Sequence, residues 1–316
     1  MKALITELIW NEGIAELTSH GFEVHYDEGL WGNRKKLLDV VKDYDAIIVR
    51  NQTKVDQELL DAGIRLKAVG RLGVGMDNID LAAAKKRGIQ VVYGRHANAT
   101  SVAEYVMSAM LSANRPLYSA AAESRVGNWN RIKFTGGEIA NKTLGLIGLG
   151  EISHRVAKRA LAFGMQVIGY DPFITEYDHI VSETGIQLIK SLEDVLTESD
   201  FISLHVPLTA ATHYLISKSE LQKMKPTAYI INTSRGGIID ETALAAALNE
   251  QTIAGAFLDV LEVEPISQSN QLLSCETAVI TPHIAGLTNE SQIRTSLLVA
   301  KEVVKILKGE RSLCAI

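Results

Sequence analysis

Short β-branched runs alternate with amphipathic helical stretches along almost the whole chain, and this alternation constrains the fold more than any other feature. Parallel strands need a crossover, and a helix is the crossover that also covers the sheet face, so the rhythm predicts parallel α/β architecture. Strands are predicted at residues 3–6, 23–26, 46–50, 67–71 and 90–93, with helices such as 57–62 and 81–86 between them. The rhythm then breaks. Residues 101–125 are rich in Ala, Met and Leu, which predicts one long helix, kinked or interrupted around Pro116, linking two αβ domains. From Thr143 the alternation returns in six runs: LGLIGLG, VIGYD, FISLHVP, AYIINTS, IAGAFLDV and AVITPH. These predict a second doubly wound sheet. A last helix, about 289–308, is expected to pack back on the first domain.

At 316 residues with 47% hydrophobic and 22% charged content, the chain has material for two ordinary globular cores. A net charge of −5 gives no surface suited to nucleic acid. The short basic runs Arg34-Lys35-Lys36 and Lys85-Lys86-Arg87 read as solvated helix faces. Cys275 and Cys314 form neither a disulfide framework nor a metal-ligand spacing, so no metal is expected. No apolar segment approaches the roughly 20 residues that span a bilayer, and the chain begins directly on a strand-like run instead of a signal peptide. A cytoplasmic protein with no membrane partner is expected.

Gly148-Leu149-Gly150-Glu151-Ile152-Ser153 follows an apolar strand and opens a helix. Gly148 permits the tight turn, and Gly150 lets the backbone approach a pyrophosphate held by the helix N-terminus. Ser153 stands where a third glycine is usual, and it is small enough for close helix–strand packing. The next strand ends in Asp171, 21 residues beyond Gly150, the spacing of a carboxylate that accepts hydrogen bonds from both ribose hydroxyls. That acid repels a 2′-phosphate, and no arginine follows it, so the expected cofactor is NAD rather than NADP.

Ligands of open α/β sheets bind outside the C-terminal strand ends, which here carry Asp171, His205, Arg235, Asp259 and His283, with Glu264 just beyond. Arg235, between Ser234 and two glycines, suits a carboxylate that it grips with two hydrogen bonds. His283 suits proton exchange near neutrality, and Glu264 is placed to pair with it and favour the imidazolium. His205 competes as an acid/base because it also ends a strand, although the following Val206 and Pro207 read as a loop wrapping the cofactor. His96 is placed to line a cleft.

Together, RLGVGMDNID (71–80), SVAEYV (101–106), GLGEIS, HVPLT (205–209), INTSRGGIID (231–240), LDVLEVEP (258–265) and TPHIAG resemble the D-isomer-specific 2-hydroxyacid dehydrogenases over nearly the whole chain. The resemblance implies two Rossmann-like doubly wound domains with a cleft between them: a discontinuous, flavodoxin-like substrate domain (1–98 with 287–316) and an NAD-binding domain (99–286). It implies the catalytic set Arg235, Glu264 and His283. It places Val74 and Gly75 on the substrate carboxylate, Asp259 near the nicotinamide, and Glu151, Ile152, Thr233, Ser234 and Gly286 among the cofactor contacts. It also implies a homodimer formed through the 99–140 region. The likeness is greatest to the short phosphoglycerate dehydrogenase-like branch, which includes sulfolactate dehydrogenases. Arg50, Arg71 and Arg131 match that branch's additional cations and suit a substrate with a second anionic group. The chain stops at Ile316, so feedback by serine through a further domain is not expected. Arg95, His96 and Ser153 depart from the commonest family pattern. A hydroxypyruvate, glyoxylate or plain D-2-hydroxy acid enzyme remains an alternative, as does a non-catalytic NAD(H)-sensing regulator of the same fold.

Overall fold

The computed structural model describes residues 1–316 and divides them between two units, Met1–Asn98 with Leu287–Ile316, and Ala99–Gly286. The first unit begins with β1 (Lys2–Ile5), α1 (Asn11–Ser19), β2 (Glu23–Tyr26), α2 (Arg34–Val41), β3 (Ala46–Val49), α3 (Gln57–Ala62), β4 (Ala68–Arg71), α4 (Leu81–Lys86) and β5 (Gln90–Tyr93). Its five strands pair in parallel in the order β2-β1-β3-β4-β5. Strand order reverses between β1 and β3, so the chain diverges there and leaves a crevice at their C-terminal ends. Strand β3 is buried along its whole length, as an apolar strand covered on both faces must be. Asp56 and Asp80 start α3 and α4 by accepting from the Leu59 and Ala83 amides, donors that the helix itself leaves unpaired.

The second unit contains α5 (Ala99–Asn114), α6 (Leu117–Arg125), β6 (Thr143–Ile147), α7 (Glu151–Ala162), β7 (Gln166–Tyr170), α8 (His179–Ser182), β8 (Gln187–Leu188), α9 (Leu192–Glu198), β9 (Phe201–Leu204), α10 (Lys218–Leu221), β10 (Tyr229–Asn232), α11 (Glu241–Asn249), β11 (Gly255–Leu258) and β12 (Ala278–Ile280). Its sheet has seven parallel strands in the order β12-β11-β10-β9-β6-β7-β8, with the reversal between β6 and β9. Alternate residues feed opposite faces. Ile202 and Ile230 enter one core with Leu244 and Ala256, while Phe201 and Ile231 enter the other with Leu146, Val156 and Met110.

The helix expected over 101–125, kinked or interrupted around Pro116, is interrupted there, because Pro116 has no amide to donate and disfavours helical backbone at Arg115. The six strands expected from Thr143 onward need correction. The second sheet has a seventh strand, β8, whose two residues are too few to show a period. The last helix, α12 (Asn289–Leu307), belongs to the first unit. Its apolar face of Val299, Ala300, Val303 and Val304 packs with Ile5, Ile48 and Leu17 in one core, covering the side of β4 and β5 beside α1. No helix is long and apolar enough to cross a membrane.

Candidate active site

At the reversal point of the second sheet, Gly148 turns the chain from β6 into α7 with φ +87°, and a Cβ there would lie 2.6 Å from the His205 carbonyl oxygen. Only glycine meets both conditions. Gly150 caps α7 without any side-chain hydrogen bond, and no atom lies within 4 Å of where its Cβ would sit. Open space beside Gly150 at the N-terminus of a twelve-residue helix fits a pyrophosphate. Ser153 is fully buried against the turn, and its hydroxyl donates to the Gly148 carbonyl at 2.5 Å. The residue that departs from the glycine pattern thus staples helix to strand. Asp171 ends β7 and accepts from the Leu149 amide through Oδ2 and the Phe173 amide through Oδ1, both at 2.9 Å. Each oxygen retains acceptor capacity, so the carboxylate fits a ribose diol. Glu151 is tied to Arg155 at 2.6 Å, beside the partly buried Ile152. Thr233 Oγ1 is buried with no hydrogen-bond partner, beside Ser234, whose hydroxyl donates to the Leu204 carbonyl.

His205 is excluded as the acid/base. Its Nε2 lies 2.9 Å from Ser203 Oγ, its Nδ1 is enclosed without a partner, and burial pushes its pKa down to about 3. A neutral ring followed by Val206 and Pro207 fits a wall better than a proton carrier.

Three neighbouring strand ends bring Arg235, Glu264 and His283 into register. The loop after β10 carries Arg235, whose carbonyl accepts from Asn232 Nδ2 at 2.9 Å and whose Nη1 donates to the Ser234 carbonyl at 2.6 Å. Gly236 follows. A Cβ there would fall 1.9 Å from the Leu261 carbonyl oxygen, so the loop after β11 packs directly on this backbone. That second loop carries Glu264, whose Oε1 accepts from the Leu261 amide at 3.0 Å and whose Oε2 lies 2.8 Å from His283 Nδ1. Burial pushes the Glu264 carboxyl up, but the His283 bond, the Leu261 amide and the His283 and Arg235 charges together hold it below its usual range. An ionised carboxylate accepts only, so His283 donates from Nδ1 and its Nε2 is left for a ligand. His283 itself sits at φ 56° and is exposed.

Asp259, expected near the nicotinamide, is tied into the protein. It is 1% exposed, and its carboxylate binds the loop after β12, accepting from Thr281 Oγ1 at 2.6 Å and from the Ile284 and Ala285 amides at 2.7 Å. These bonds bracket His283 on both sides. Gly286 closes that loop, half-buried.

In the first unit, the strand ends of β1, β3 and β4 are tied together around Arg50. Glu7, 3% exposed, accepts from the Arg50, Asn51, Gln52 and Thr53 amides at 2.8–3.1 Å. Asn78 Nδ2 donates to the Arg50 and Thr53 carbonyls, which joins this loop to the turn carrying Val74 and Gly75. The Arg50 guanidinium makes no hydrogen bond or ion pair within the protein, and burial lowers its pKa against the opposing pull of Glu7. It lines a cleft of about 590 Å³ with Glu7, Trp10, Glu28, Trp31 and Gln52. Arg71 lies over Gly73, its Nη1 donating to the Leu72 carbonyl at 3.2 Å. Arg95 Nε donates to His96 Nε2 at 3.2 Å on the exposed end of β5. Arg131 lies in the second unit, in a surface groove with Trp129 and Lys133 that none of Arg235, Glu264 and His283 lines.

Glu7, Thr281 and Tyr105 were not singled out by the sequence. A strand-end search of the first sheet like that made of the second would have reached Glu7, the first acid after β1.

A parallel sheet ordered about a glycine turn and a ribose-type acid, with an arginine and a Glu–His pair on adjacent strand ends, defines a dinucleotide-binding oxidoreductase fold. Residues 107–285 match the family model described as the D-isomer specific 2-hydroxyacid dehydrogenase, NAD binding domain. The chain is 42% identical over 310 residues to a D-3-phosphoglycerate dehydrogenase of Methanocaldococcus jannaschii, covering 98% of this chain but 58% of that protein. It is 40% identical over 304 residues to an (S)-sulfolactate dehydrogenase of Chromohalobacter salexigens, covering 96% of this chain and 97% of that protein. Identity is also 40% over 304 residues to a hydroxypyruvate reductase of Thermotoga maritima, covering 96% and 94%. Among solved structures, the TT0316 protein of Thermus thermophilus superposes with a TM-score of 0.91 at 32% identity over the full length of both chains. The chain belongs to the D-isomer specific 2-hydroxyacid dehydrogenase family.

Proposed function

We propose that the chain interconverts a small anionic 2-hydroxy acid and its 2-oxo acid with NAD, the substrate being of the 3-phosphoglycerate/phosphohydroxypyruvate type. The observation that carries the reading is the 2.8 Å Glu264–His283 pair with Arg235 packed beside it through Gly236. Bound NAD supplies the hydride acceptor, and NADH the donor, at C2. Arg235 takes the C1 carboxylate in a two-pronged grip, aided by the backbone at Val74 and Gly75. His283 Nε2 gives a proton to the C2 oxygen during reduction and removes it during oxidation. Glu264, 2.8 Å from Nδ1, holds the imidazole in the orientation and tautomer that leave Nε2 free for this task. Asp171 selects NAD by repelling a 2′-phosphate.

Arg50 is assigned to the substrate's distal anion. Its guanidinium is desolvated and uses none of its donors on the protein, which leaves them for a phosphate or sulfonate. The relatives named for phosphoglycerate and sulfolactate support an anion at that end. NADH oxidation tests this with phosphohydroxypyruvate, sulfopyruvate, hydroxypyruvate, glyoxylate and pyruvate. The 3-phospho or 3-sulfo acid should give the highest kcat/KM, and Arg50→Ala should cut it by roughly 10–100-fold, the worth of a charged hydrogen-bond pair. Hydroxypyruvate should lose far less. Equal losses on substrates with and without the second anion would remove Arg50 from this role. A wild-type preference for hydroxypyruvate would transfer the assignment to the reaction named for the Thermotoga relative.

A further inference from the structure

We infer that Tyr105 and Thr281 are positioning residues that hold the His283 loop by delivering a directed chain of hydrogen bonds into Asp259. The inference rests on the dehydrogenase reading for its kinetic consequences, but its geometry stands alone. Asp259 lies at the end of β11, buried, and both its carboxylate oxygens accept backbone amides, Oδ1 from Ile284 and Oδ2 from Ala285. The Thr281 hydroxyl, 2.6 Å from Oδ1, must therefore spend its single hydrogen on Asp259. The Tyr105 hydroxyl, 2.6 Å from the same Thr281 oxygen, is then left as donor. The sense of the chain is fixed: Tyr105 to Thr281 to Asp259.

That chain ends on the loop that needs it. Asp259 also receives the Ile284 and Ala285 amides, and the His283 amide donates back to the Thr281 carbonyl at 2.9 Å. His283 is thus bracketed on both sides while its own backbone holds φ 56°, a left-handed conformation that a non-glycine residue adopts only when its surroundings enforce it. Tyr105 reaches the loop from α5, a helix separated from Thr281 by 176 residues, whose neighbouring positions Val102, Ala103, Val106 and Met107 are all buried and apolar. Phenylalanine would fill the same volume, so the hydroxyl is what this position adds. Burial, with the Asp259 charge, raises the Tyr105 pKa against the Thr281 bond and keeps the group protonated as a donor.

Tyr105→Phe tests the chain in two independent readouts. Amide hydrogen exchange at Ile284 and Ala285 should accelerate by about tenfold or more while α7 and β9 amides stay unchanged, the scale of one lost hydrogen bond in a local opening equilibrium. With NADH and the best 2-oxo acid, kcat should fall about tenfold with both KM values within about twofold of wild type. Thr281→Ser preserves the hydroxyl chain and should behave as wild type in both, whereas Thr281→Val should reproduce Tyr105→Phe. In a His283→Ala background, Tyr105→Phe should cause no further loss of kcat, because its effect passes through His283. Unchanged exchange at Ile284 and Ala285 overturns the inference, and so does an undiminished tenfold loss in the His283→Ala background. A wild-type protein that turns over no 2-oxo acid, yet shows the exchange effect, refutes the dehydrogenase reading and upholds the positioning chain.

Discussion

His283→Ala is expected to lower turnover of the best 2-oxo acid by about 10²–10⁴-fold, the usual contribution of a positioned general acid/base. The size follows from what replaces the imidazole. Nε2 is the one titratable donor that the loop after β12 presents, because Nδ1 is committed to Glu264 at 2.8 Å. Alanine leaves only water to protonate the C2 oxygen, and it also leaves Glu264 without the bond that helps hold its carboxyl ionised. NADH affinity, which we assign to Gly148, Gly150 and Asp171 on other strand ends, should hardly change, so the loss should fall on kcat. Steady-state NADH oxidation with separately measured NADH binding checks this. A His283→Ala protein with near-normal turnover would remove the residue from the chemistry.

Glu7→Ala is expected to destabilise the first unit by about 3–5 kcal/mol, near the top of what single substitutions do. Four consecutive amides, Arg50 to Thr53, converge on one carboxylate that is 3% exposed. Alanine leaves those donors in a partly buried crevice with no acceptor, and each buried unsatisfied donor costs on the order of 1–3 kcal/mol before relaxation and water entry reduce the sum. Glu7→Gln should fall between the two, since its amide group turns one acceptor into a donor facing N–H groups. Chemical denaturation followed by hydrogen exchange at Asn51, Gln52 and Thr53 reads the effect locally. With Arg50 on the distal anion as proposed, freeing this loop should lower kcat/KM for a 3-phospho or 3-sulfo 2-oxo acid before it lowers activity on 2-oxo acids lacking a second anion. A Glu7→Ala protein of unchanged stability would show that the crevice satisfies the four amides in another way.

Much of this architecture was legible because local signals agreed with the global fold. Helices α3 and α4 lie at 57–62 and 81–86, where an aspartate cap precedes each apolar stretch, and β2 and β5 lie at 23–26 and 90–93. The phosphate turn was legible because its glycines answer to backbone geometry at one short segment, and Asp171 because one strand fixes its distance from that turn. Strand β8 escaped because two residues carry no period, while Pro116, read as a kink or an interruption, separates two helices. The deeper failures concern partners distant in the chain. Glu7 meets Arg50 across 43 residues and Tyr105 meets Thr281 across 176, and no local pattern encodes either contact. Asp259 was placed near the nicotinamide by resemblance alone, and its three donors on the next loop could not be read from the sequence. Strand ends nominate candidates, and only packing decides which of them face outward.

The most direct test of the central claim is a crystal structure of the chain with NADH and an unreactive analogue of the 2-oxo acid bound. The analogue's C2 oxygen is expected within hydrogen-bonding distance of His283 Nε2 and its carboxylate on the Arg235 guanidinium, with the Glu264–His283 bond intact. An analogue bound with its carboxylate elsewhere, or with His283 turned away from C2, would contradict it.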